Sequence, residues 1–137
     1  MTVGGADQTR SIDGIRLDVA VGPLLGPTLS RAVGAIAARA GLTLDRIDDA
    51  VLVADTLSDG AAGETLDGRL PVRLESSPGR VLLRVGPLRD GGARRLLQGG
   101  DDGVPGAPVI QLLASRARVT GGGARSEYLI VEVGQDG

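Results

Sequence analysis

The chain of 137 residues carries 15 basic and 17 acidic side chains, for a formal net charge of −2, and this length fits one domain with a sizeable core. Cysteine and histidine are absent, which excludes disulfides, thiolate metal sites and a Ser-His-Asp triad, so any general base must be Asp, Glu or an amine. The charge balance predicts no broad basic surface for nucleic acid, and we recognise neither a membrane span nor a signal peptide, so we expect a soluble cytoplasmic protein.

The first part of the chain predicts one strand and one helix. After a flexible lead-in over residues 1–11, residues 12–21 alternate apolar and polar side chains with the period of a half-buried strand. Pro27 suits the first turn of a helix, and apolar residues then recur at helical spacing over residues 29–40. Gly41 stands where a C-terminal cap belongs.

A second helix is predicted over residues 44–59, and it carries two carboxylates. Asp55 and Asp59 are four residues apart and fall on one stripe with Asp48 and Leu52, so both could face one cleft. Near the C-terminal end of a helix the macrodipole disfavours negative charge, and a metal ion or a cationic side chain would relieve that cost. The alternative is that Asp59 and the following glycine form a turn, with Asp55 solvated at a frayed helix end.

The rest of the chain predicts four strands, a short helix and a glycine-rich segment. Strands are predicted over residues 70–75, 80–85, 117–120 and 127–133, and the short helix over residues 108–114. A four-residue turn, residues 76–79, joins the first two strands into a hairpin. The glycine-rich segment, residues 86–106, contains a helical island at residues 93–98 and is either a functional lid or a plain surface loop.

This order of elements predicts the fold class. Strand, helix, helix, hairpin, short helix and two strands are typical of an α+β two-layer sandwich, with helices on one face of a mostly antiparallel sheet. We see neither an internal repeat nor a second domain. The prediction is therefore a single domain over residues 12–133, followed by a tail at residues 134–137.

The acidic helix before a hairpin and the glycine-rich segment before a short helix resemble the histidine-kinase-like ATPase (GHKL) domain, which has a Bergerat-type ATP-binding fold. Within that superfamily the chain resembles the bacterial anti-sigma-factor serine/threonine kinases. Three stretches carry the resemblance. IDDAVLVADTLSD is similar to the family's N-box helix, VLLRVGPLRDGG to the strand and first glycine box, and PGAPVIQLLASRARV to the second glycine box with the helix and strand that follow it.

The resemblance implies a set of site residues, with ATP and Mg²⁺ as cofactors. Asp55 stands at the general-base position, where the family has Glu, and Asp59 stands at the position of the Asn that binds Mg²⁺. The other implied nucleotide contacts come from the glycine boxes: Gly86, Asp90, Gly92, Gly103 and Gly106. Gly86 replaces the family's adenine-reading Asp, so either Asp90 serves instead or the adenine contact is lost.

Two functions follow from the resemblance, both in partner-switching control of transcription. In the first, the chain is an ATP-dependent protein serine/threonine kinase, and Asp55 deprotonates a seryl hydroxyl of an antagonist protein. In the second, it is a catalytically degenerate module that sequesters a sigma factor or its antagonist, through the helix over residues 29–40 and the opposite sheet edge. Asp90 separates the two, because a place at the cleft floor favours nucleotide binding and a place in solvent favours the module.

The expected assemblies are a complex with a sigma factor or an anti-sigma-factor antagonist, and a homodimer. Direct contact with nucleic acid or with a membrane is not expected. A third alternative is an unrelated α+β domain that has the same order of elements.

Overall fold

The structure, a computed structural model, describes residues 13–98, 108–121 and 127–135. Along these ranges the elements are β1 (Asp13–Ala20), α1 (Leu25–Arg39), α2 (Leu44–Ala61), β2 (Arg69–Ser77), β3 (Arg80–Leu88), α3 (Gly92–Leu97), α4 (Val109–Leu113), β4 (Arg116–Thr120) and β5 (Glu127–Gly134). The strands form one five-stranded sheet in the order β1-β2-β3-β5-β4, and every neighbouring pair is antiparallel. The predicted α+β two-layer sandwich is confirmed.

Strict alternation along the central strands separates a buried face of the sheet from an open one. Nine side chains of these strands point into the core and are at most 2% exposed: Leu70, Val72, Leu74, Val81, Leu83, Val85, Leu129, Val131 and Val133. The residues between them point to the opposite face and remain partly or fully accessible. For β5 this is the assignment of faces that the sequence predicts.

Helix α1 covers the buried face with an apolar stripe at the predicted spacing. Its buried side chains are Leu25, Leu29, Val33, Ile36 and Ala37. The helix begins at Leu25, so Pro27 lies in its first turn, as predicted. It ends before Gly41, whose φ of +82° suits a C-terminal cap. Gly34 faces α2, and a Cβ there would lie 3.5 Å from Val51, which is an ordinary contact distance.

Helix α2 is capped at its N-terminus and runs past the predicted end. The Thr43 side chain accepts a hydrogen bond from the Arg46 backbone N–H at 3.3 Å, which satisfies one of the free amides of the first turn. The helix continues through Ala61. A turn at Asp59-Gly60 is therefore excluded, and Asp59 lies inside the last turn of a regular helix.

The hairpin between β2 and β3 is tighter than predicted. Ser77 pairs with Arg80, so only Pro78 and Gly79 connect the strands, and the predicted four-residue turn is wrong. The physical reason is Gly79, which adopts a φ of +79° and lets the chain reverse within two residues.

A β-bulge marks the end of β3. Val85 pairs with Leu129 and Leu88 pairs with Glu127, so three steps along β3 face two steps along β5. The extra residue lies at Gly86-Pro87, where a bulge re-aims the chain toward α3.

None of the helices in the described ranges has the length and apolar character that crossing a bilayer requires.

Candidate functional site

The two acids of α2 share one stripe, as their spacing predicts. Asp48, Leu52, Asp55 and Asp59 are all exposed, and Leu52 keeps 47% of its surface accessible. Asp55 accepts a hydrogen bond from the hydroxyl of Ser30 on α1. Within the described ranges neither Asp55 nor Asp59 forms an ion pair, and no group of three or more metal-binding side chains occurs. The stripe is therefore an acidic surface of the helix layer.

Gly86 occupies a position in the bulge that excludes a side chain. Its φ is +137°, and a Cβ built there would lie 2.8 Å from the Glu127 carbonyl oxygen and 3.0 Å from Cδ2 of Tyr128. A distance below 3.0 Å to backbone cannot be relieved by turning a side chain. The adenine-reading Asp that the resemblance places here consequently has no room in this fold.

Asp90, the alternative adenine contact, is exposed to solvent. Its backbone carbonyl accepts a hydrogen bond from Nη2 of Arg95 at 3.0 Å. The next residue, Gly91, has a φ of +79°, and from there the chain turns inward to start α3. Asp90 is thus held by its backbone, and its exposed side chain is not at the floor of a cleft.

A buried carboxylate that the sequence analysis did not single out holds the start of α3. Glu127 is 6% exposed, and it accepts hydrogen bonds from the N–H of Gly91 at 3.0 Å and of Ala93 at 2.8 Å. Free amides at the start of a helix need acceptors, and a carboxylate is a strong one. Alternation along β5 was the available signal, because Glu127 falls on the inward side with Leu129.

The chain after the bulge is tied to the end of α2. Arg95 binds Glu64 with two hydrogen bonds, Nε to Oε2 at 2.8 Å and Nη2 to Oε1 at 2.7 Å. The hydrogen bond from Arg95 is the main cause that lowers the pKa of Glu64, and Glu64 in turn raises the pKa of Arg95. The Arg89 N–H donates to the Glu64 carbonyl at 2.8 Å, beside a β-bridge between Thr65 and Leu88.

Two glycines allow α3 to pack closely against α2 and Glu64. A Cβ on Gly60 of α2 would lie 2.7 Å from Cδ2 of Leu96, and a Cβ on Gly92 would lie 3.0 Å from Oε1 of Glu64. Leu96 is 5% exposed. The described part of the predicted lid, residues 86–98, therefore packs against α2 and β5 as part of the core.

The structure separates the predicted site residues into two groups. Asp55 and Asp59 lie on the exposed stripe of α2, whereas Gly86 and Gly92 are buried and have their nearest neighbours on β3, β5 and Glu64. Gly103 and Gly106 lie outside the described residues.

Comparison of the chain with protein-family models and with curated proteins finds no match.

The resemblance implies a site for ATP·Mg²⁺, and several of its residues lie in the described part of the chain. The adenine-reading position has no room for an acid, and Asp90 is exposed. Mg²⁺ requires close octahedral geometry from oxygen ligands, and Asp59 contributes a single exposed carboxylate.

Proposed function

We propose that the chain is a catalytically degenerate regulatory module with a GHKL-like sandwich. It binds a protein partner, a sigma factor or an anti-sigma-factor antagonist, and does not turn over ATP. A partner that acts in transcription would place it in the cytoplasm. The observation that carries the proposal is the packed bulge at Gly86, where a side chain would collide with the Glu127 backbone.

The exposed position of Asp90 supports the same proposal. Asp90 is the one residue close enough in sequence to replace an acid at position 86, and its side chain lies in solvent while its carbonyl is bound by Arg95. An adenine contact needs a buried acceptor that distinguishes one base from others. Neither position 86 nor position 90 supplies it.

The geometry around Asp55 argues against a kinase. Phosphoryl transfer depends on positioning the nucleophile and neutralising the phosphate charge. Asp55 is exposed and already accepts a hydrogen bond from Ser30, and no ion pair within the described ranges brings a cation to it. An exposed carboxylate of this kind lacks the desolvated surroundings that make an acid a useful base.

ATP·Mg²⁺ binding is the competing proposal, and Asp59 is the observation in its favour. This residue lies in the last turn of α2, which contains no basic residue, so a cation there would be stabilised by the helix dipole as well as by the carboxylate. A kinase of this kind would use ATP to phosphorylate the antagonist.

Titration calorimetry distinguishes the two proposals. We expect no saturable heat with ATP up to about 1 mM, with or without Mg²⁺. Binding too weak to saturate at that concentration has a free energy of less than about 4 kcal/mol. Saturable, Mg²⁺-dependent heat that Asp59→Ala weakens would overturn the binding-module proposal. Asp48→Ala is the matched control, because it removes an exposed acid from the same stripe about three helical turns before Asp59.

Partner capture tests the proposal that the chain binds a protein partner. The full chain, tagged and expressed in its host, is expected to co-purify with a sigma factor or an antagonist protein in the presence of EDTA and after enzymatic removal of ATP. Capture that requires added ATP·Mg²⁺ would contradict nucleotide-independent sequestration. Absence of both proteins from the purified material would contradict the proposed class of partner.

A further inference from the structure

The open face of the sheet carries a row of arginines that crosses the strands. Arg16 on β1 is opposite Arg73 on β2, and Arg73 is opposite Arg84 on β3. Arg84 is opposite Ile130 on β5, which is opposite Arg118 on β4. Directly opposed residues share a face, and neighbouring strands are about 4.8 Å apart, so the row spans roughly 19 Å. We call Arg16, Arg73, Arg84 and Arg118 the arginine row.

Among the described residues, carboxylates pair with only one arginine of the row, and the Arg84 guanidinium lies over the ring of Tyr128. Arg73 pairs with Glu75 at 2.8 Å. Within the described ranges, however, no carboxylate pairs with Arg16, Arg84 or Arg118, and all three are exposed. Like charges directly opposite each other on a sheet destabilise it. An anionic partner on this face would remove that repulsion, although the net charge of the whole chain is −2.

Apolar side chains form the floor between the arginines. One surface pocket of about 340 Å³ includes Pro71, Tyr128 and Arg84 in its lining. Another, of about 360 Å³, is lined by Leu82, Ile130, Arg116, Arg118 and one acid, Glu132, which pairs with Arg80. Both lie on the open face, where a surface with an apolar floor and cationic walls fits a ligand that is itself apolar on one side and acidic at its flanks.

We propose that the arginine row is the docking surface for an acidic amphipathic helix of the protein partner, an inference that rests on the proposed function. Side chains three and four positions apart on a helix lie about 5–6 Å from each other, which matches the spacing across strands. Glutamates or aspartates at the helix flanks pair with Arg84 and Arg118. The apolar stripe of the helix covers Leu82 and Ile130.

Nucleic acid fits this face less well than an acidic helix does. Sheet surfaces that bind single strands stack bases on aromatic side chains. Tyr128 is the only aromatic residue of the chain, and the Arg84 guanidinium lies 4.3 Å from the centre of its ring. Glu75 and Glu132 also lie on this face, where they pair with Arg73 and Arg80, and they do not distinguish the two ligands because they repel any anion.

A second copy of the chain also fits less well. Pairing two open faces about a two-fold axis would bring two arginine rows together. The acidic stripe of α2 lies on the opposite layer of the sandwich, so docking it on the arginine row of another copy would be head-to-tail and would give a ring or a filament instead of a two-fold dimer.

Fluorescence anisotropy with defined peptides tests the inference. The probe is a labelled 18-residue amphipathic helix with a leucine stripe flanked by glutamates, compared with a peptide of equal length in which glutamine replaces every glutamate. We expect the acidic peptide to bind, with affinity that falls as salt rises from about 50 to 300 mM. The double variant Arg84→Gln/Arg118→Gln should bind at least about tenfold more weakly. Arg16→Gln provides an independent single change at the edge strand.

Arg31→Gln is the matched control, since Arg31 is an exposed arginine on α1 in the opposite layer. Equal binding of both peptides, or no binding by the wild-type chain, would overturn the inference. Tighter binding of a single-stranded oligothymidine than of the acidic peptide, or self-association of the wild-type chain at micromolar concentration, would also overturn it.

Partner capture with the same variants separates this inference from the proposed function. Loss of the captured partner in Arg84→Gln/Arg118→Gln, with retention in Arg31→Gln, supports the arginine row. Loss in Arg31→Gln alone moves the docking surface to α1, which overturns the inference and leaves the proposed function intact. Saturable ATP binding would overturn the proposed function without changing the result with the peptides.

Discussion

Restoring the missing acid, by Gly86→Asp, should destabilise the fold and should not create an ATP site. A side chain at φ +137° is strained, at a cost of about 1–3 kcal/mol. The overlap of Cβ with the Glu127 carbonyl oxygen, 2.8 Å away, adds roughly 1–3 kcal/mol. Position 86 is buried, so burial of the new carboxylate raises the cost further. We expect a loss of about 4 kcal/mol.

Thermal unfolding followed by circular dichroism measures this loss. For a chain of this size, about 4 kcal/mol corresponds to a fall in Tm of roughly 10–20 °C. Gly86→Ala isolates the backbone and steric terms, and should lose about 2 kcal/mol or more. Gly22→Asp is the control, since nothing lies within 4 Å of its Cβ position, and its change should stay within about 0.5 kcal/mol. A Gly86→Asp variant as stable as Gly22→Asp that also binds ATP would refute the reasoning.

Three further predictions concern contacts that hold the helices to the sheet. Glu127→Gln should lower the free energy of unfolding by about 2 kcal/mol and speed hydrogen exchange of the Gly91 and Ala93 amides, because an NH₂ group would face one of these donors. Arg46→Met should lower it by about 3 kcal/mol in urea titrations, because the guanidinium donates to the Gly134 and Leu113 carbonyls and to the Ser115 hydroxyl. Glu64→Gln should be less stable than the wild type at pH 7, and the difference should shrink as pH falls below 4.5, the ordinary pKa of Glu64.

The sign of the pH effect follows from the lowered pKa of Glu64. A carboxyl group whose pKa is lower in the folded state stabilises the fold above its unfolded pKa, and loses that contribution as pH falls through the folded value. A difference between wild type and Glu64→Gln that grows on acidification would contradict the ion pair with Arg95 as its cause.

Exposed Arg80 and half-buried Glu132 serve as controls for the other variants. Glu132 and Arg80 form a long ion pair at 3.7 Å, and Arg80 is 59% exposed. Glu132→Gln and Arg80→Met should therefore each change stability by less than about 1 kcal/mol. If Glu127→Gln and Glu132→Gln lose similar free energies of unfolding, the hydrogen bonds from the start of α3 to Glu127 stabilise the fold no more than the long ion pair of Glu132 does. For Arg46, a change no larger than that of Arg80→Met would contradict its anchoring role.

Local periodicity located most of the elements, because apolar spacing follows from the geometry of a single helix or strand. The strand predicted over residues 12–21 is β1 (Asp13–Ala20), and the helix predicted over residues 44–59 is α2 (Leu44–Ala61). The connection between β2 and β3 was mispredicted, because Ser76 and Ser77 read as turn residues while the sheet extends the ladder through them. Gly79 allows the chain to reverse within two residues, so Ser77 pairs with Arg80, and Ser76 pairs both with Val81 and with Asp13 of β1.

The candidate site was only partly predictable. The i, i+4 spacing places Asp55 and Asp59 on one stripe, but whether that stripe meets a cleft depends on how the chain after β3 packs. That packing depends on long-range contacts: Glu127 with the amides of α3, Arg95 with Glu64, and Leu96 with Gly60. ATP binding and the sigma-factor partners stay predictions.

By itself, the sequence determined an aliphatic α+β domain without cysteine or histidine chemistry, because composition and hydrophobic period are local properties of the chain. Only the tertiary structure decided that Gly86 has no room for an acid, since the obstruction is the backbone of a strand some 40 residues away. It also decided that arginines dispersed over more than 100 residues meet in one row, because strand register sets which side chains become neighbours.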